Sequence, residues 1–361
     1  MISLAKIIST EIQQRGPMPV ARFMELALYH PELGYYERAP ERVGRKGDFF
    51  TSVSVGSLFG ELLGFQFVKW GRESTGKTFQ LVEAGAHDGR LAADILNYIR
   101  DWQPDMLARL EYWIVEPSVQ RRAWQETRLR EHQKIFHWIS SLDALPPAGI
   151  NGVIFANELL DAMPLSRLGW DVPTRSWFEW GVGENDARFV WVKMSPSPSV
   201  QNLPPRLPED LLAVLPDGFT IEICPLARNW WQTAVSRLNH GHLLTFDYGF
   251  SEEQFFLPGR AAGTLRAYRQ HHAASDVLAD PGEQDLTAHV NFTPLQTAGE
   301  AVGLKTTAFV SQAKFLTEIA RQTWRAGAPF AAWSPARVRQ FQSLTHPDHL
   351  GRAFQVLVQS K

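Results

Sequence analysis

The sequence predicts an α/β fold: a doubly wound sheet with an N-terminal helical cap and an antiparallel insertion. Three apolar runs, "TFQLVEAG", "LEYWIVEPS" and "NGVIFANE", do not alternate between apolar and polar residues. Segments of helical pattern separate the first of them from the second and follow the second, as expected for parallel strands covered on both faces. Residues 163–217 instead contain short aromatic strands with polar turns, such as "RSWFEWGV" and "RFVWVKM", which favour antiparallel pairing.

Residues 1–75 are predicted to form the helical cap and a lid loop. Helical spacing of apolar residues predicts helices over 2–15 and 19–29, with Gly16 and Pro17 between them. A long loop rich in Gly, Pro and charge follows, and long loops inside compact domains often carry function. An apolar helix is predicted over 54–73.

Residues 76–162 and 218–320 are predicted to form the α/β core, interrupted by the insertion at 163–217. The run "DGFTIEICP", a helix and then "HLLTFDYGF" are expected to continue the parallel sheet. The following segment, through "TAHVNF", is predicted to be mostly irregular. Residues 321–361 are predicted as a helical extension that ends in a late strand, "FQVLVQ".

Composition limits the classes of partner. The formal net charge is −2 with 20% charged residues, which gives no bulk argument for nucleic acid or for an anionic membrane. The one cysteine, Cys224, excludes an intrachain disulfide framework. No apolar run approaches the roughly 18–20 residues that span a bilayer, and no signal peptide is recognisable at the start. We expect a cytoplasmic protein without nucleic acid or membrane partners, and its oligomeric state stays open.

A candidate cofactor loop follows the first strand of the predicted sheet. It reads Glu83-x-Gly85-x-His87-x-Gly89, with a histidine where the second glycine of such loops usually lies. Asp88 would repel a pyrophosphate, and the Lys-Ser/Thr pair of a phosphate-binding loop is missing. An acidic strand end suits a cationic ligand, and S-adenosylmethionine carries a sulfonium and an ammonium that Glu83 could orient.

Two more acids follow the next strands. Glu116 could accept both ribose hydroxyls of a nucleoside, although it lies farther from the loop than the usual spacing of about 20 residues. Asp143 could accept the adenine amino group. For each acid the alternative is a surface carboxylate or a helix N-cap.

Several stretches, taken in order, resemble one family. They are "GDFFTSVSVGSLFGELLG", "VEAGAHDGRLAADIL", "VEPSVQRRAWQ", "FANELLDAMPL", "LLTFDYG", "GTLRAYRQHH" and "DPGEQDLTAHVNFTPL". Together they resemble the MidA-type family of S-adenosylmethionine-dependent methyltransferases over about residues 5–317. The resemblance implies a class I methyltransferase-like sheet, S-adenosylmethionine as cofactor, and an arginine side chain of a protein as methyl acceptor. The family's mitochondrial member assists assembly of respiratory complex I, so a respiratory-complex subunit could be the partner.

The resemblance assigns site residues by their motifs. Matches to the family's motifs are Glu83, Gly85 and Gly89 in the glycine loop, Glu116 after the second strand, Asn157, Glu158 and Asp161 in "ANELLDAMP", Asp247 in "DYG", Asp48, Thr51 and Ser52 in "GDFFTS", and Asp285 in "DLTA". Departures are His87, Val53 and Asn291. Asp48, Thr51 and Ser52 would touch cofactor or acceptor, or alternatively Ser52 or Ser54 would cap the following helix.

The acceptor site is predicted at "ANELLDAMP". Carboxylates that bind a guanidinium bidentately can orient it for attack. Glu158 is predicted to orient the acceptor, Asn157 to line the methyl path, and Asp161 to share a helical face with Glu158. Alternatively, Asn157 caps this turn and Asp161 binds backbone before Pro164.

Because a histidine occupies position 87 of the glycine loop, three hypotheses about function stay open. Histidine is among the non-glycine residues that adopt positive φ, so binding survives if its ring points away from the ligand. A ring turned inward would fill the methionine pocket. The hypotheses are an active methyltransferase, a silent relative that binds a protein through its cleft, and a nicotinamide dehydrogenase, which the acid in the loop disfavours. His271, His272 and His289 lack metal-site spacing, so no metal is expected.

Overall fold

The computed structural model describes residues 3–38, 51–73, 78–201, 203, 207–269 and 272–361. The chain divides into two compact units that each draw on three segments. Unit 1 consists of Met1–Ala39, Asp161–Arg228 and Phe250–Thr293. Unit 2 consists of Pro40–Leu160, Asn229–Gly249 and Pro294–Lys361.

The helices of the described residues vary from one turn to four. They are α1 (Leu4–Arg15), α2 (Val20–Tyr29), α3 (Tyr35–Arg38), α4 (Leu58–Glu73), α5 (Arg90–Trp102), α6 (Pro104–Leu107), α7 (Val119–Arg128), α8 (Glu209–Val214), α9 (Pro225–Arg237), α10 (Glu252–Phe255), α11 (Phe292–Glu300), α12 (Gln312–Thr323), α13 (Pro335–Thr345) and α14 (Leu350–Ala353). None of the helices in the described part of the chain is long and apolar enough to cross a membrane.

The strands belong to three sheets. They are β1 (Met18–Pro19), β2 (Phe79–Ala84), β3 (Leu110–Val115), β4 (Phe136–Ile139), β5 (Ile150–Asn157), β6 (Ser166–Asp171), β7 (Ser176–Asn185), β8 (Arg188–Met194), β9 (Thr220–Ile223), β10 (Leu238–Phe250), β11 (Arg266–Arg269), β12 (His272–Ala274), β13 (Asp285–Thr287), β14 (Val290–Asn291), β15 (Lys305–Ser311) and β16 (Phe354–Ser360).

Unit 2 is built on the doubly wound sheet. Its strand order is β15-β16-β10-β5-β2-β3-β4. The strands from β10 to β4 run parallel, whereas the late strand β16 runs antiparallel between β10 and β15. The chain proceeds from β2 outwards to β3 and β4, then returns to β5 on the other side. This reversal makes the carboxyl ends of β2 and β5 the switch point where doubly wound sheets bind ligands.

The parallel strands form because their side chains are buried on both faces. Leu81, Val82 and Phe155 are fully buried on neighbouring central strands, which explains the absence of alternation in the sequence. Helices α4 and α5 pack closely on one another in this unit. A Cβ at Gly60 would lie 2.5 Å from the Cβ of Asp94, so only glycine permits this approach.

Unit 1 contains an antiparallel sheet of order β1-β7-β6-β9, with β8 also paired to β7. Its apolar cluster is centred on the fully buried Leu168 and includes Trp170, Phe219 and Ile221. A second sheet of this unit has the order β12-β11-β13. Helices α1 and α2 belong to the same unit, and the side chain of Ser3 caps α1 by accepting from the Lys6 N–H at 3.3 Å.

The α/β fold class with a mostly parallel central sheet is confirmed, and two details of the expectation differ. Strand β9 was expected in the parallel sheet but pairs antiparallel with β6 in unit 1. The segment expected to be irregular contains β11, β12 and β13. Both differences have one cause: strands of three or four residues carry too few positions for a pattern to reveal their partner. Residues 218–228 and 250–293, assigned to the core from sequence, accordingly lie in unit 1.

Candidate active site

The glycine loop follows β2 at the switch point of unit 2. Gly85 and Gly89 have φ of 78° and 82°, the left-handed conformation that glycine adopts without steric cost. His87, between them, has φ of 46° and is therefore one of the uncommon non-glycine residues in this region. A Cβ at Gly85 would lie 3.0 Å from the Leu159 side chain, so glycine permits the close approach of Leu159 to this strand end.

Residues of helix α7 contact the turn at His87. The His87 carbonyl accepts a hydrogen bond from Gln125 Nε2 at 3.0 Å, and its ring centroid lies 6.0 Å from that of Trp124. Arg128 pairs with the Asp88 carboxylate at 2.6 Å. The ring of His87 thus lies beside Trp124 of α7. Burial lowers the pKa of His87, and the Asp88 charge opposes that shift.

Glu83, the last acid of β2, is almost completely buried. Its Oε2 accepts a hydrogen bond of 2.5 Å from the Tyr112 hydroxyl. Burial raises the pKa of Glu83 to about 7, the Tyr112 hydrogen bond works against that rise, and the Asp88 charge adds to it. A cationic group placed beside this carboxyl would favour its ionised form.

Glu116 lies after β3 and is also buried. Its Oε1 accepts from the Ser118 N–H at 2.9 Å and from Arg121 Nε and Nη2 at 3.0 and 2.9 Å. Its Oε2 accepts from Gln125 Nε2 at 3.0 Å. Because Gln125 also binds the His87 carbonyl, it joins the glycine loop to the predicted ribose-binding acid.

Asp143 has a different environment from the other predicted acids. Its side chain is 76% exposed and accepts a hydrogen bond from Arg237 at 3.1 Å. Nothing in this arrangement supports the prediction that Asp143 receives an adenine amino group, and it matches the surface-carboxylate alternative. Asp143 lies in the short 3₁₀ turn Leu142–Ala144, in which Leu142 is the buried residue.

The residues around the glycine loop fit S-adenosylmethionine. Two buried acids, Glu83 and Glu116, lie at the ends of neighbouring parallel strands, and the glycine turn follows the first of them. A cationic end for Glu83 and a hydroxyl-bearing end for Glu116 are what this cofactor offers. It would supply a methyl group carried on a sulfonium.

A second polar group lies at the end of β5. Glu158 has φ of 52°, and its Oε1 accepts hydrogen bonds from the Ser52 N–H at 3.1 Å and from Asn157 Nδ2 at 3.0 Å. The Asn157 Oδ1 atom is buried and has no hydrogen-bond partner among the described residues. The structure therefore brings Asn157, Glu158 and Ser52 together.

Supporting residues fix this turn. Asp247 on β10 is fully buried and accepts from the Leu160 N–H at 2.8 Å and the Tyr248 N–H at 2.9 Å. The Ser52 hydroxyl donates to Gln312 at 3.0 Å. These bonds hold the backbone that follows Glu158 and the residue, Ser52, whose N–H donates to the Glu158 carboxylate.

The remaining predicted residues of the lid loop are Thr51 and Asp48. Thr51 makes local hydrogen bonds with Ser54, since each backbone N–H donates to the other side-chain oxygen, at 3.0 and 3.1 Å. These bonds form a local turn between Thr51 and Ser54, and Ser52 makes no side-chain capping bond. Asp48 lies outside the described residues.

Asp161 belongs to unit 1. Its side chain is 5% exposed, and its carbonyl accepts from the Ala288 N–H at 2.9 Å. In the same unit the Tyr36 hydroxyl donates to Asp285 Oδ1 at 2.7 Å. Burial raises the pKa of Tyr36 well above its usual value, and the charges of Asp285 and Asp161 add to the rise.

Of the three histidines considered in the sequence analysis, the structure describes His289 and His272. His289 stacks on Phe250 at 4.6 Å, and burial lowers its pKa to about 4. His272 is exposed on β12, opposite Arg269. His271 lies outside the described residues.

Tyr112, Arg121 and Gln125 were missed from sequence, although each contacts a predicted cofactor residue. The burial of Gln125 on the charged helix α7, where it is completely inaccessible to solvent, is visible only in the structure. Tyr112 sits on a strand whose apolar pattern gave no reason to single it out.

The family of the chain follows from comparison with known proteins. Residues 62–310 match the family of S-adenosyl-L-methionine-dependent methyltransferases, and the chain belongs to that family. It is thus a methyltransferase that uses S-adenosylmethionine, which confirms the expected activity and cofactor.

Relatives and solved structures extend this result. The chain is 29% identical over 328 residues to the mitochondrial protein arginine methyltransferase NDUFAF7 homolog of Drosophila melanogaster, covering 83% of this chain and 71% of that protein. It is 27% identical over 327 residues to mitochondrial NDUFAF7 of Danio rerio, covering 83% and 73%. A Burkholderia thailandensis protein crystallised with S-adenosyl-homocysteine shares 29% identity with a TM-score of 0.83, covering 99% of this chain and 92% of that one.

The same relatives contradict one expectation. The protein was expected to be cytoplasmic, but the named relatives from fly, fish, mouse and human are mitochondrial proteins. The error arose because bulk charge, cysteine content and apolar runs do not report the compartment in which a protein resides.

Proposed function

We propose that this methyltransferase modifies a nitrogen of a protein side chain, with an arginine guanidinium as the acceptor. The relatives from fly and zebrafish are named protein arginine methyltransferases, which supports this acceptor class. A respiratory-complex subunit is the partner to test first, because the family resemblance implies one. The observation that carries the proposal is the buried amide oxygen of Asn157.

The Asn157 amide has a defined orientation. Its Nδ2 donates to Glu158 Oε1 at 3.0 Å, so Oδ1 faces the opposite side. A buried acceptor left without a donor costs about 1–3 kcal/mol. Among the described residues nothing offsets this cost, whereas an N–H group of a bound acceptor would.

A guanidinium suits both residues of the turn. Its N–H groups can donate to the Asn157 oxygen, and the Glu158 carboxylate attracts its positive charge. Two hydrogen bonds from different sides orient the reacting nitrogen, whose lone pair must face the methyl carbon for in-line attack. The nitrogen would form a bond to the methyl carbon as the carbon–sulfur bond of the donor breaks, so that S-adenosylhomocysteine leaves and the nitrogen loses one proton to solvent.

The experiment compares the wild type with Asn157→Ala and Asn151→Ala. Asn151 lies at the opposite end of β5 and accepts from Asn239 at 3.0 Å, so it is a matched control. Each protein is incubated with methyl-tritiated S-adenosylmethionine and a lysate of source cells that lack the gene. Labelled protein is hydrolysed, and its methylated amino acids are separated.

The expected label is methylarginine. Asn157→Ala should lower kcat about 10–100-fold while the Kd of S-adenosylhomocysteine stays within about twofold, because the lost hydrogen bond involves the reacting nitrogen. The control should react at the wild-type rate. Label in methyllysine or in small molecules would refute the arginine assignment, and a full rate for Asn157→Ala would refute its role.

A further inference from the structure

Gln312, the first residue of α12, is a fully buried polar residue that binds Ser52. Its Oε1 accepts a hydrogen bond from the Ser52 hydroxyl at 3.0 Å, and its Nε2 donates to the Leu344 carbonyl at 3.0 Å. Ser52 and Leu344 are also fully buried. Gln312 therefore joins α12, α13 and the segment before α4 by hydrogen bonds that water does not reach.

The bond to Leu344 fixes the orientation of the Gln312 amide. A carbonyl can only accept, so the amide nitrogen must face Leu344 and the amide oxygen must face Ser52. The Ser52 hydroxyl is consequently the donor in the second bond. Leu344 lies in the last turn of α13, where carbonyls lack partners within the helix. The same amide thus satisfies the end of α13 and holds the Ser52 hydroxyl.

Ser52 connects this amide to Glu158. Its backbone N–H donates to Glu158 Oε1 at 3.1 Å, while its hydroxyl is bound by Gln312. A serine side chain has one torsion between its backbone and its oxygen, with a few staggered positions. Restraint of the hydroxyl therefore also restrains the backbone N–H that reaches the carboxylate.

Helix α13 holds the residues that follow Ser52 as well. Gln340 Oε1 accepts from the Leu58 N–H at 3.1 Å, and Arg337 forms a largely buried ion pair with Glu61. Together with the bond to Gln312, these contacts attach residues 52–61 to α12 and α13 at Ser52, Leu58 and Glu61. The position of the Ser52 N–H thus depends on the C-terminal helices.

We propose that Gln312 is a positioning residue for methyl transfer, which acts through Ser52 on the Glu158 carboxylate. The inference rests on the proposed function, in which Glu158 attracts the positive charge of the acceptor. Gln312 lies two hydrogen bonds away from that carboxylate. It keeps the Ser52 N–H bound to Oε1, so that the carboxylate keeps its orientation while the acceptor binds.

Amide hydrogen exchange tests the positioning without any acceptor. The exchange rate of the Ser52 N–H is measured by NMR in the full chain for wild type, Gln312→Leu and Gln322→Leu. Gln322 is the matched control on the same helix, where its side chain accepts from Lys69 and donates to the Glu318 carbonyl, both at 3.1 Å. We expect exchange about tenfold faster in Gln312→Leu and unchanged in Gln322→Leu. Wild-type exchange in Gln312→Leu would overturn the proposal.

A double-mutant cycle tests whether Gln312 acts on the reaction through Glu158. Initial rates of tritium transfer to lysate protein are measured for Gln312→Leu, Glu158→Gln and the double variant. Gln312→Leu alone should lower the rate about tenfold, with the Kd of S-adenosylhomocysteine within about twofold of wild type. In the Glu158→Gln background it should cost less than about twofold, because the charge that it positions is already gone. A tenfold loss in both backgrounds would show a merely structural role and contradict the proposal.

Failure of this inference is distinguishable from failure of the proposed function. A full rate in Glu158→Gln would refute the role of Glu158 and, with it, that of Gln312. A slow Glu158→Gln together with a wild-type rate in Gln312→Leu would refute the role of Gln312 alone.

Ser52→Ala is the second variant if Gln312→Leu does not fold. It removes the hydroxyl but leaves Gln312 bonded to Leu344, so the end of α13 stays satisfied. The same loss of about tenfold in rate is expected, because the N–H at position 52 is no longer restrained. A wild-type rate in Ser52→Ala would overturn the proposal.

Discussion

The turns after β2 and β5 lie at the same edge of one sheet and use the same backbone conformation differently. His87 has φ of 46° and Glu158 has φ of 52°. His87 contributes its carbonyl to Gln125 while its ring lies beside Trp124 of α7. Glu158 contributes its carboxylate to the Ser52 N–H and to Asn157. The turn at His87 depends on its backbone conformation, whereas the turn at Glu158 also depends on the carboxylate of that residue.

The energetics support this contrast. A left-handed non-glycine residue costs roughly 1–2 kcal/mol. In the glycine loop, the bonds of Gln125 and Arg128 to the loop backbone offset that cost, and any residue at position 87 would keep them. At Glu158 the conformation places a charged group beside the Asn157 amide oxygen, which has no hydrogen-bond partner among the described residues, and strain of this kind clusters at functional sites.

The largest effect is expected for Glu158→Gln. Glutamine can still accept from Ser52 and Asn157, so the turn should keep its shape while its negative charge disappears. The methylation rate should fall about 100-fold because a cationic acceptor loses its charged partner. Initial rates with tritiated donor measure this, and the Kd of S-adenosylhomocysteine serves as the internal control. A full rate in this variant would remove Glu158 from the acceptor site.

A smaller, pH-dependent effect is expected for Glu83→Gln. The pKa of Glu83 is raised from 4.5 to about 7, so its contribution to stability is present below pH 4.5 and is lost as pH rises to 7. At pH 8 the variant should therefore unfold with a free energy up to about 3 kcal/mol higher than wild type, and at pH 4.5 the difference should vanish. Denaturant unfolding at both values measures it.

The affinity for the cofactor should rise with pH, whereas the contribution of Glu83 to the stability of the fold falls. Ionised Glu83 attracts the ammonium of the ligand, so the wild-type Kd for S-adenosylhomocysteine should fall between pH 6 and pH 8. Glu83→Gln should flatten that profile, whereas Glu111→Gln on the neighbouring strand should keep it. A wild-type Kd independent of pH would mean that Glu83 does not contact a cation.

The smallest effect is expected for His87→Gly. Glycine relieves the backbone strain but gains conformational entropy in the unfolded state and loses the contact with Trp124. We expect the free energy of unfolding to change by about 1 kcal/mol or less. Thermal melting measures this change. A loss above about 3 kcal/mol would show that the imidazole itself stabilises the loop.

Much of the fold and part of the site follow from local sequence. Continuous apolar runs predicted the parallel strands, and acids at their ends predicted Glu83 and Glu116 as neighbours. The partner of β9 could not be predicted, because sheet pairing depends on contacts distant in sequence. The bridging role of Gln125 likewise requires knowing that α7 packs beside the glycine loop. Asp143 shows the converse: its position after a strand was correct, yet its side chain turns to Arg237.

One titration tests most directly whether the turn with His87 accommodates the cofactor. Wild type and His87→Gly are titrated with S-adenosylhomocysteine at pH 8. Because the ring lies beside Trp124 of α7, we expect micromolar binding by the wild type and a Kd within about threefold for the variant. Binding by the variant but none by the wild type would place the imidazole in the cofactor pocket and contradict the structure of this loop.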